Sequence, residues 1–429
     1  MNIIERVRGF VQERLEIAKR SAQDWRVCPK CKGRKTCKNG GYHRGPWTLE
    51  GRKDVRVQRH WCYTCRASYV EKQAQLVPWG WYATDVRRCA VDQCMHGRTS
   101  LRRAAEFVRS LVGRQERWCL WRPGEQRPAE QEECHLSFTT VSNWLDGAGK
   151  KAQESVPGQL EGLKISGQMG ADGLWVRLRD GSIRVVLTLV DSATGLICGI
   201  VVATGEESAA QWEKLFKRAK EMGVALEKVS GLTSDGAQGL LSYLRDAMSW
   251  VHHQRCVWHF WRSLAADLAK AAAQAAKDVA EGMAQVAQQT ALKQLTALLH
   301  AVLDGQSHAQ AEEALGKLKA HRYGASLAKK VNEQLDRLLY PLLPCHRGLV
   351  RVSPEWFWRD YRLRLSHGRN QATAERLERD ALRWAIYHDF TPAQRRSERK
   401  RHYKHPGKSP LEVAGGAPGE ISYLDALGI

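Results

Sequence analysis

Two aspartates at the ends of apolar segments carry the first chemical signal in this sequence. Asp172 lies in QMGADGLWVRL, directly before a predicted strand, and Asp235 lies in LTSDGAQGL, at the end of another. Acids at the strand ends of an α/β sheet face the open loop side and are held rigidly. Carboxylates are the hard oxygen ligands that Mg²⁺ requires. Two Mg²⁺ (or Mn²⁺) ions about 3.5–4 Å apart can activate a water or a 3′-hydroxyl at a phosphodiester, so the pair predicts a two-metal site.

Such a site needs a third carboxylate, and spacing alone does not choose it. The candidates in the last helical segment are Glu375 and Glu378, with Glu355 and Asp360 behind them. Either aspartate alone would be interpreted as a turn residue before glycine, as we interpret Asp146-Gly147 and Asp180-Gly181. The metal-site hypothesis therefore depends on the two aspartates together.

A Cys–His pair with the spacing C-x-x-H, Cys256 and His259, follows the second aspartate. This spacing is compatible with half of a zinc site, a buried pair, or part of the floor of an active site. Trp258 and Trp261 beside the pair could stack on an unpaired base, but packing at helical spacing is favoured for at least one of them.

Two C-x-x-C pairs predict a structural zinc site. They are Cys28 with Cys31 and Cys62 with Cys65, separated by 30 residues. Four thiolates complete a tetrahedral zinc sphere at about 2.3 Å and leave no open position for catalysis, so we expect one structural Zn²⁺. Four free thiols or two disulfides are the alternative. Three further residues could replace one ligand: Cys37, His43 and His60.

The chain is strongly basic, with a formal net charge of +21 at pH 7. Between Arg26 and Lys72 there are 13 Lys and Arg against 3 Asp and Glu. Such density favours nucleic acid, because phosphate contacts release counterions, although a solvated basic surface is the alternative. The predicted DNA contacts are Lys30, Lys32, Arg34, Lys35, Lys38, Arg52, Lys53, Arg56 and Arg59. No apolar run approaches the ~18 residues of a membrane span, so we expect a soluble intracellular protein.

Two short helices predicted after the zinc site, which we call the zinc ribbon, have the sequence pattern of a helix-turn-helix. The segment TSLRRAAEFV begins with a capping Thr99 or Ser100 and is expected to bury Leu101, Ala104, Ala105 and Val108. LSFTTVSNWLDGAG opens with Ser/Thr and is expected to end at Gly147. The insert over residues 114–133 is long for this motif, and a structural three-helix bundle is the alternative. The recognition residues would be Thr139, Thr140, Ser142 and Asn143.

From Leu163 onward the pattern changes to β-branched runs separated by DG and TG turns, which predicts adjacent antiparallel strands. A helix closed by Gly223, a strand ending in Asp235 and a further helix follow. This β-β-β-α-β-α order predicts a mixed α/β sheet. The Ala-, Gln- and Leu-rich sequence after Phe260 predicts an all-helical insertion.

The block from GADGLWVRL through SDG to HHQRCVWHF resembles the catalytic core of Mutator-type DDE transposases, over about residues 165–264. The matching motifs are D-G before the first strand, S-D-G at the fourth, and Q-R-C-x-x-H after the next helix. The resemblance implies an RNase H-like fold with flanking helices and an all-α insertion. It also implies that Asp172 and Asp235 are the first two catalytic acids, beside Cys256 and His259.

The third acid of that family lies in a helix with the pattern T-x-N-A-x-E-x-x-N-R. QATAERLER matches this pattern at Ala374, Glu375 and Arg379 but lacks the asparagines. The resemblance therefore implies Glu375 as the third metal ligand, with Glu378 as the alternative. A zinc ribbon and helix-turn-helix before the core resemble the end-binding region of insertion-sequence transposases.

The implied activity is Mg²⁺-dependent cleavage at the ends of a DNA element and transfer of the strand into target DNA. Double-stranded DNA is the expected partner, a homodimer or higher oligomer the expected assembly, and the bacterial nucleoid in the cytoplasm the expected location. The alternatives are a domesticated DNA-binding regulator and an RNase H-like nuclease or resolvase.

The expected organisation is an N-terminal helix and zinc ribbon (1–75), a helix-turn-helix-like region (76–160), the core's first part (161–262), the helical insertion (263–345), the core's last part with the third acid (346–392) and a basic tail (393–429).

Overall fold

The structure is a computed structural model that describes residues 26–70, 76–77, 80–112, 114–116, 131–342, 358, 360–362, 365, 373–392, 405, 407–419 and 421–429. The chain divides into two compact units. Unit 1 contains Met1–Gly162, Asp360–Thr391 and Gly416–Ile429, and unit 2 contains Leu163–Arg359 and Pro392–Gly415. The predicted leading helix over residues 2–24, the segment 393–404 of the predicted tail and Glu355 lie outside the described residues.

The described residues form strands and helices in both units. The strands are β1 (Thr36–Arg44), β2 (Trp47–Thr48), β3 (Gly51–Arg52), β4 (Val55–Cys62), β5 (Ala67–Val70), β6 (Arg114–Glu116), β7 (Gln131–Glu133), β8 (Gln168–Arg177), β9 (Ile183–Asp191), β10 (Ile197–Thr204), β11 (Gly231–Ser234) and β12 (His252–Arg255). The helices are α1 (Thr84–Met95), α2 (Leu101–Val112), α3 (Phe138–Ser155), α4 (Ala209–Met222), α5 (Gln238–Ala247), α6 (Val257–Lys277), α7 (Ala284–Leu303), α8 (His308–Ala320), α9 (Ala325–Asn332), α10 (Leu335–Leu339), α11 (Ala374–Phe390), α12 (Pro410–Val413) and α13 (Tyr423–Ala426).

The first sheet of unit 1 is antiparallel and has the strand order β1-β4-β5. One C-x-x-C pair precedes β1, and the other begins at the last residue of β4. Lys32 and Arg66, each directly after the second cysteine of a pair, have left-handed backbone with φ of 59° and 53°. The chain therefore turns sharply after each pair, which returns both pairs toward one end of the sheet.

Three helices, α1, α2 and α3, pack together in unit 1. The side chain of Ser137 caps α3 by accepting a hydrogen bond from the Thr140 amide, at 3.1 Å. Ala104, Ala105 and Val108 of α2 are buried as predicted, whereas Leu101 is only half-buried because it lies in the first turn. Within the long insert, β6 and β7 pair as a short antiparallel ribbon.

The prediction that α3 ends at Gly147 is wrong, since the helix continues to Ser155. Its apolar face continues past the glycine through the buried residues Ala148 and Ala152. This face packs against α11, and Asp146, predicted as a turn residue, instead forms an ion pair with Arg379 at 2.9 Å. Tertiary packing thus overrides the Asp-Gly turn signal.

The end of the chain is packed into unit 1, although the sequence grouped it with a basic tail. Leu427 and Ile429 are buried. Asp425 accepts a hydrogen bond from the Arg88 guanidinium at 2.7 Å, which ties α13 to α1. Because these residues are buried and hydrogen-bonded within unit 1, residues 421–429 belong to the folded unit.

The sheet of unit 2 is mixed, as predicted, with the strand order β10-β9-β8-β11-β12. β8, β9 and β10 form an antiparallel meander, and the Asp180-Gly181 turn between β8 and β9 is confirmed. β11 is parallel to β8 on one side and to β12 on the other. Helix α4 packs against β10 and β9, where Gly199 lets the Leu215 side chain approach the strand.

Asp172 lies inside β8 and not before it, because the strand begins four residues earlier at Gln168. The predicted start was late because this segment is interrupted by glycine and polar residues. β8 is nevertheless hydrogen-bonded on both sides, by β9 and β11, and this pairing makes the segment extended.

Residues 257–342, all of which the structure describes, contain helices α6 to α10 and no strand. Leucines on successive turns build their common core, for example Leu264, Leu295 and Leu318. The helical character predicted for the insertion is therefore present. In the described part of the chain, no helix combines the length and apolar character that crossing a membrane requires.

Alanine at the two glycines of α3 should have opposite effects on stability. Gly147 is exposed, with the nearest neighbouring atom 4.0 Å from an added Cβ, so Gly147→Ala should stabilise the protein by up to about 1 kcal/mol through helix propensity. At Gly149 an added Cβ would lie 2.6 Å from the Arg379 Cβ. Gly149→Ala should therefore destabilise by about 1–3 kcal/mol through overpacking. Denaturant unfolding of the two variants measures the difference, and equal stabilisation by both would contradict the α3–α11 contact.

Candidate functional site

Asp172 and Asp235 come to the same edge of the unit 2 sheet. The parallel pair of β8 and β11 has Gly170 opposite Thr233. Asp172 lies two residues further along β8, and Asp235 lies two residues after Thr233, directly after the end of β11, so the register sets both at one level where the two chains run about 4.8 Å apart. Asp172 is buried, with 4% of its surface exposed, and Asp235 is half-buried. Two of the predicted site residues are thus neighbours.

A tight turn fixes Asp235 at the end of β11. Its Oδ1 accepts a hydrogen bond from the Ala237 amide at 3.0 Å, and Gly236 has a φ of +81°, which favours glycine. The Ser234 hydroxyl accepts from the Gly236 amide at 3.1 Å and lies 2.8 Å from His253 Nε2. Burial lowers the pKa of His253 to about 4, with the charges of Arg337 and Arg255 adding to the effect. His253 is therefore neutral at physiological pH, and its Nε2 can accept a hydrogen bond from the Ser234 hydroxyl.

The C-x-x-H pair follows a strand, β12, and not directly a helix as the sequence predicted. HHQR has no apolar alternation, so it becomes a strand only through parallel pairing with β11. Cys256 is buried, and its amide donates to the carbonyl of Ser234, the residue before Asp235, at 2.7 Å. His259 lies half-buried in the first turn of α6.

The tryptophans near the C-x-x-H pair are both engaged in packing. Trp258 meets the His259 ring edge-on at 4.8 Å between centroids, and the Arg262 guanidinium lies 4.9 Å over its ring. Trp261 packs on His300 at 4.5 Å. The packing interpretation of these aromatic side chains is the one that the structure favours.

A further carboxylate of unit 2, not predicted from the sequence, belongs to Glu207 between β10 and α4. A Cβ built on Gly173, next to Asp172, would lie only 2.8 Å from Glu207 Oε1. Burial raises the pKa of Glu207 to about 7, the negative charge of Asp235 adds to the rise, and hydrogen bonding by the Trp175 indole opposes it. The carboxylates of Glu207 and Asp235 are thus within electrostatic reach.

The sequence around Glu207 gives no sign that this residue belongs to a functional site. GEES directly before a helix is the ordinary acidic pattern of a helix start. Glu207 comes close to two glycines, Gly173 and Gly239. A Cβ added at either glycine would lie 2.8 Å or less from an atom of Glu207. In the sequence these glycines are indistinguishable from turn glycines.

This acidic edge fits a hard divalent cation. Its donors are carboxylate oxygens, and the mutual repulsion of Glu207 and Asp235 is the charge that a cation would offset. Among the described residues, only four cysteines bring three or more potential ligand atoms within 4.8 Å of one another. The three carboxylates do not form such a group, so their fit to a cation rests on the type of donor atom and on the charge.

Glu375 belongs to unit 1, whereas Asp172 and Asp235 belong to unit 2. Glu375 is exposed in the first turn of α11, after the capping residue Thr373. Glu378 is half-buried one turn further along. The assignment of Glu375 as the third acid, and of residues 346–392 to the core, stays a prediction. Asp360 forms an ion pair with Arg98 at 3.4 Å within unit 1.

The four predicted cysteines, Cys28, Cys31, Cys62 and Cys65, form a group that could hold a zinc ion, since their sulfurs all lie within 4.8 Å of one another. Two of the Sγ–Sγ distances are 3.7 and 3.5 Å. A tetrahedron with sulfurs at about 2.3 Å from zinc has edges of about 3.8 Å, so the geometry fits Zn²⁺.

The ionisation of these thiols also fits a bound cation. The backbone amide of Cys65 lowers the pKa of Cys62 to about 6, whereas burial and the neighbouring sulfurs raise that of Cys65 to about 12. Four thiolates therefore do not coexist near neutral pH without a compensating positive charge, which zinc would supply.

The other candidate ligands of the ribbon have different partners. Cys37, His43 and His60 lie outside the four-cysteine group. His43 is hydrogen-bonded to Asp54 at 2.8 Å, and His60 is buried in a stack with Tyr69. The paired set is thus the one that the structure brings together.

Most of the predicted DNA contacts are accessible. The exposed basic residues are Lys30, Lys32, Arg34, Lys35, Lys38, Lys53, Arg56 and Arg59. Arg52 is half-buried, packs over the Trp47 ring and donates to the Gly45 carbonyl at 2.9 Å, which is a structural role. On α3, Thr139 and Asn143 are exposed, whereas Thr140 and Ser142 are half-buried.

Comparison with known proteins shows which proteins part of this chain resembles. Residues 165–324 match the model of the Mutator family of transposases. The transposase for insertion sequence element IS905 of Lactococcus lactis subsp. lactis (strain IL1403) is 28% identical over 144 residues, which cover 32% of this chain and 35% of that relative. Residues 165–324 thus match the transposase domain of the Mutator family, in agreement with the resemblance, and the matched segment includes Asp172, Glu207, Asp235, Cys256 and His259.

Removal of one ribbon cysteine should release the zinc. Cys62→Ser is expected to lower zinc content from one equivalent to less than about 0.2, because a tetrahedral site loses a charged ligand. Cys37→Ser is the matched control and should keep one equivalent, since Cys37 lies outside the group. Metal analysis of both purified variants measures this, and a zinc-replete Cys62→Ser protein would exclude the assigned ligand set.

Glu207 should make stability depend on pH. Its folded-state pKa of about 7 lies above the ordinary value of 4.5, so the folded state loses stability as pH rises between these values. Without Mg²⁺, zinc-loaded Glu207→Gln should avoid a loss of about 1–2 kcal/mol between pH 5 and 8, after allowance for solvent screening. Thermal unfolding against pH measures it, with the exposed neighbour Glu206→Gln as control. Identical profiles for wild type and Glu207→Gln would contradict the shift.

Proposed function

We propose that this chain is a DDE transposase that binds the ends of a DNA element and catalyses Mg²⁺-dependent strand cleavage and strand transfer into target DNA. The observation that carries the proposal is the position of Asp172 and Asp235, at one level on neighbouring parallel strands within the Mutator-family domain. The match spans about a third of the relative's length, so the whole protein's activity is inferred from the site.

An RNase H-like core is part of the proposal. Its support is the five-stranded mixed sheet, in which an antiparallel meander is followed by two parallel strands, with the acids on the central pair β8 and β11. The all-helical segment after the C-x-x-H pair supports the insertion that the resemblance implies.

The proposed chemistry uses carboxylates without a covalent protein–DNA intermediate. Asp172, Asp235 and Glu375 would hold two Mg²⁺, which when bound activate a water or 3′-hydroxyl and stabilise the leaving oxygen. The turn of Ser234 to Ala237 holds the Asp235 carboxylate in one orientation, so little reorganisation is needed when DNA binds. His259 would contact phosphate or a flanking base, and buried Cys256 would support the end of β11.

The DNA contacts would come from the zinc ribbon and from α3. Exposed Lys and Arg side chains of the ribbon would neutralise phosphates, and Thr139 and Asn143 would reach base edges. Because transposition joins two element ends, a homodimer or higher oligomer on DNA is part of the proposal.

Strand transfer with a labelled duplex tests the function. The probe carries the DNA that flanks the coding sequence, and the reaction contains Mg²⁺ and a target plasmid. Asp235→Ala should reduce cleavage and joining on the order of a thousandfold or more, since a lost metal ligand removes several kcal/mol of transition-state stabilisation, while probe binding persists. Asp246→Ala is the control, because this exposed acid of α5 is paired with Arg245.

The possible outcomes separate the proposed function from its alternatives. Wild-type binding without any cleavage or joining would exclude the transposase and favour a DNA-binding regulator. Cleavage of branched DNA without a preference for element ends would favour a nuclease or resolvase.

A further inference from the structure

We propose that Glu207 is a further ligand-bearing carboxylate of the cation site, beside Asp172 and Asp235. This inference rests on the proposed function and adds a residue to the same site. Glu207 lies within the Mutator-family domain and within unit 2, on the connection between β10 and α4.

The side chain of Glu207 reaches the strand that carries Asp172. Its Oε1 would be 2.8 Å, and its Cδ 3.1 Å, from a Cβ added at Gly173. Any other residue at position 173 would therefore push this carboxylate away from β8. Glycine at this position, one residue after Asp172, keeps the space that the carboxylate occupies.

The backbone of Glu207 is pressed against the helix that follows Asp235. A Cβ added at Gly239, in the first turn of α5, would lie 1.9 Å from the Glu207 carbonyl oxygen and 2.7 Å from the Ser208 carbonyl carbon. These are backbone atoms, so this approach cannot be relieved by a side-chain movement. The connection that bears Glu207 is thus held between the Asp172 strand and the Asp235 turn.

The charge balance at this edge favours a shared cation. Glu207 and Asp235 are both half-buried, and like charges repel strongly in such surroundings. A divalent cation between them would offset the repulsion through oxygen ligands, and the number of charged ligands sets the affinity of such a site. Trp175, which is 54% exposed and hydrogen-bonds Glu207, provides a natural optical reporter beside the ion.

Luminescence titration of the zinc-loaded full chain with Tb³⁺, sensitised by tryptophan and competed with Mg²⁺, tests the inference. Glu207→Gln should weaken Mg²⁺ competition on the order of tenfold, because one charged ligand is lost. Gly173→Ala should weaken it as well, since it displaces the carboxylate without changing its chemistry. Glu206→Gln, the exposed neighbour, should leave it unchanged.

The results distinguish this inference from the proposed function. If Glu207→Gln and Gly173→Ala bind Mg²⁺ as the wild type does while Asp235→Asn has lost binding, the role of Glu207 is wrong and the acidic site stands. If the wild type shows no Mg²⁺-competed Tb³⁺ binding, both are wrong. Unfolding midpoints of all variants show whether each is folded, and Glu207→Asp, which shortens the side chain by one methylene, replaces Glu207→Gln if that variant does not fold.

Discussion

The parallel pairing of β8 with β11 is the constraint on which the proposed active site depends. It sets Asp172 and Asp235 at one level, and a slip of one residue would turn one of them to the opposite face of the sheet. Contacts at the start of the pair hold this register. The backbone amide of Ser230 donates to the Gly167 carbonyl at 2.9 Å, and the side-chain amide of Gln168 donates to the Ser230 hydroxyl at 2.7 Å. Gly167 itself has a φ of +76° and could not carry a side chain without meeting the Lys228 carbonyl.

The order of the strands also concentrates negative charge near the two aspartates. The fold brings Glu207 to Gly173 and to the Asp235 turn, in a half-buried place where like charges repel strongly. A folded protein tolerates such a cluster at the expense of stability, and function commonly explains its presence. At the four cysteines the same principle applies to sulfur, because four close thiolates would repel one another without a cation. In the proposed account, a cation at each site would compensate charges that the fold concentrates.

The sequence predicted the features that depend on short spacing or strong local pattern. The two C-x-x-C pairs, the antiparallel meander and the long helical segment were all recognisable, since each is encoded within a few neighbouring residues. β12 was missed because HHQR is a strand only through pairing with β11, and α3 was predicted too short because its packing on α11 outweighs two glycines. Glu207 was missed because its partners, Gly173 and Asp235, are distant in sequence and close only through the order of the strands.

Iron-mediated backbone cleavage tests most directly whether these carboxylates share one cation site. Fe²⁺ takes oxygen ligands as Mg²⁺ does, and with ascorbate and peroxide it generates radicals that cut the chain close to the bound ion. In the zinc-loaded protein bound to DNA, Mg²⁺-suppressible cuts are expected near Asp172, Glu207 and Asp235, with a further cut near Glu375 where that residue completes the site. Cuts confined to other segments, or cuts near the aspartates that Mg²⁺ does not suppress, would contradict a shared site.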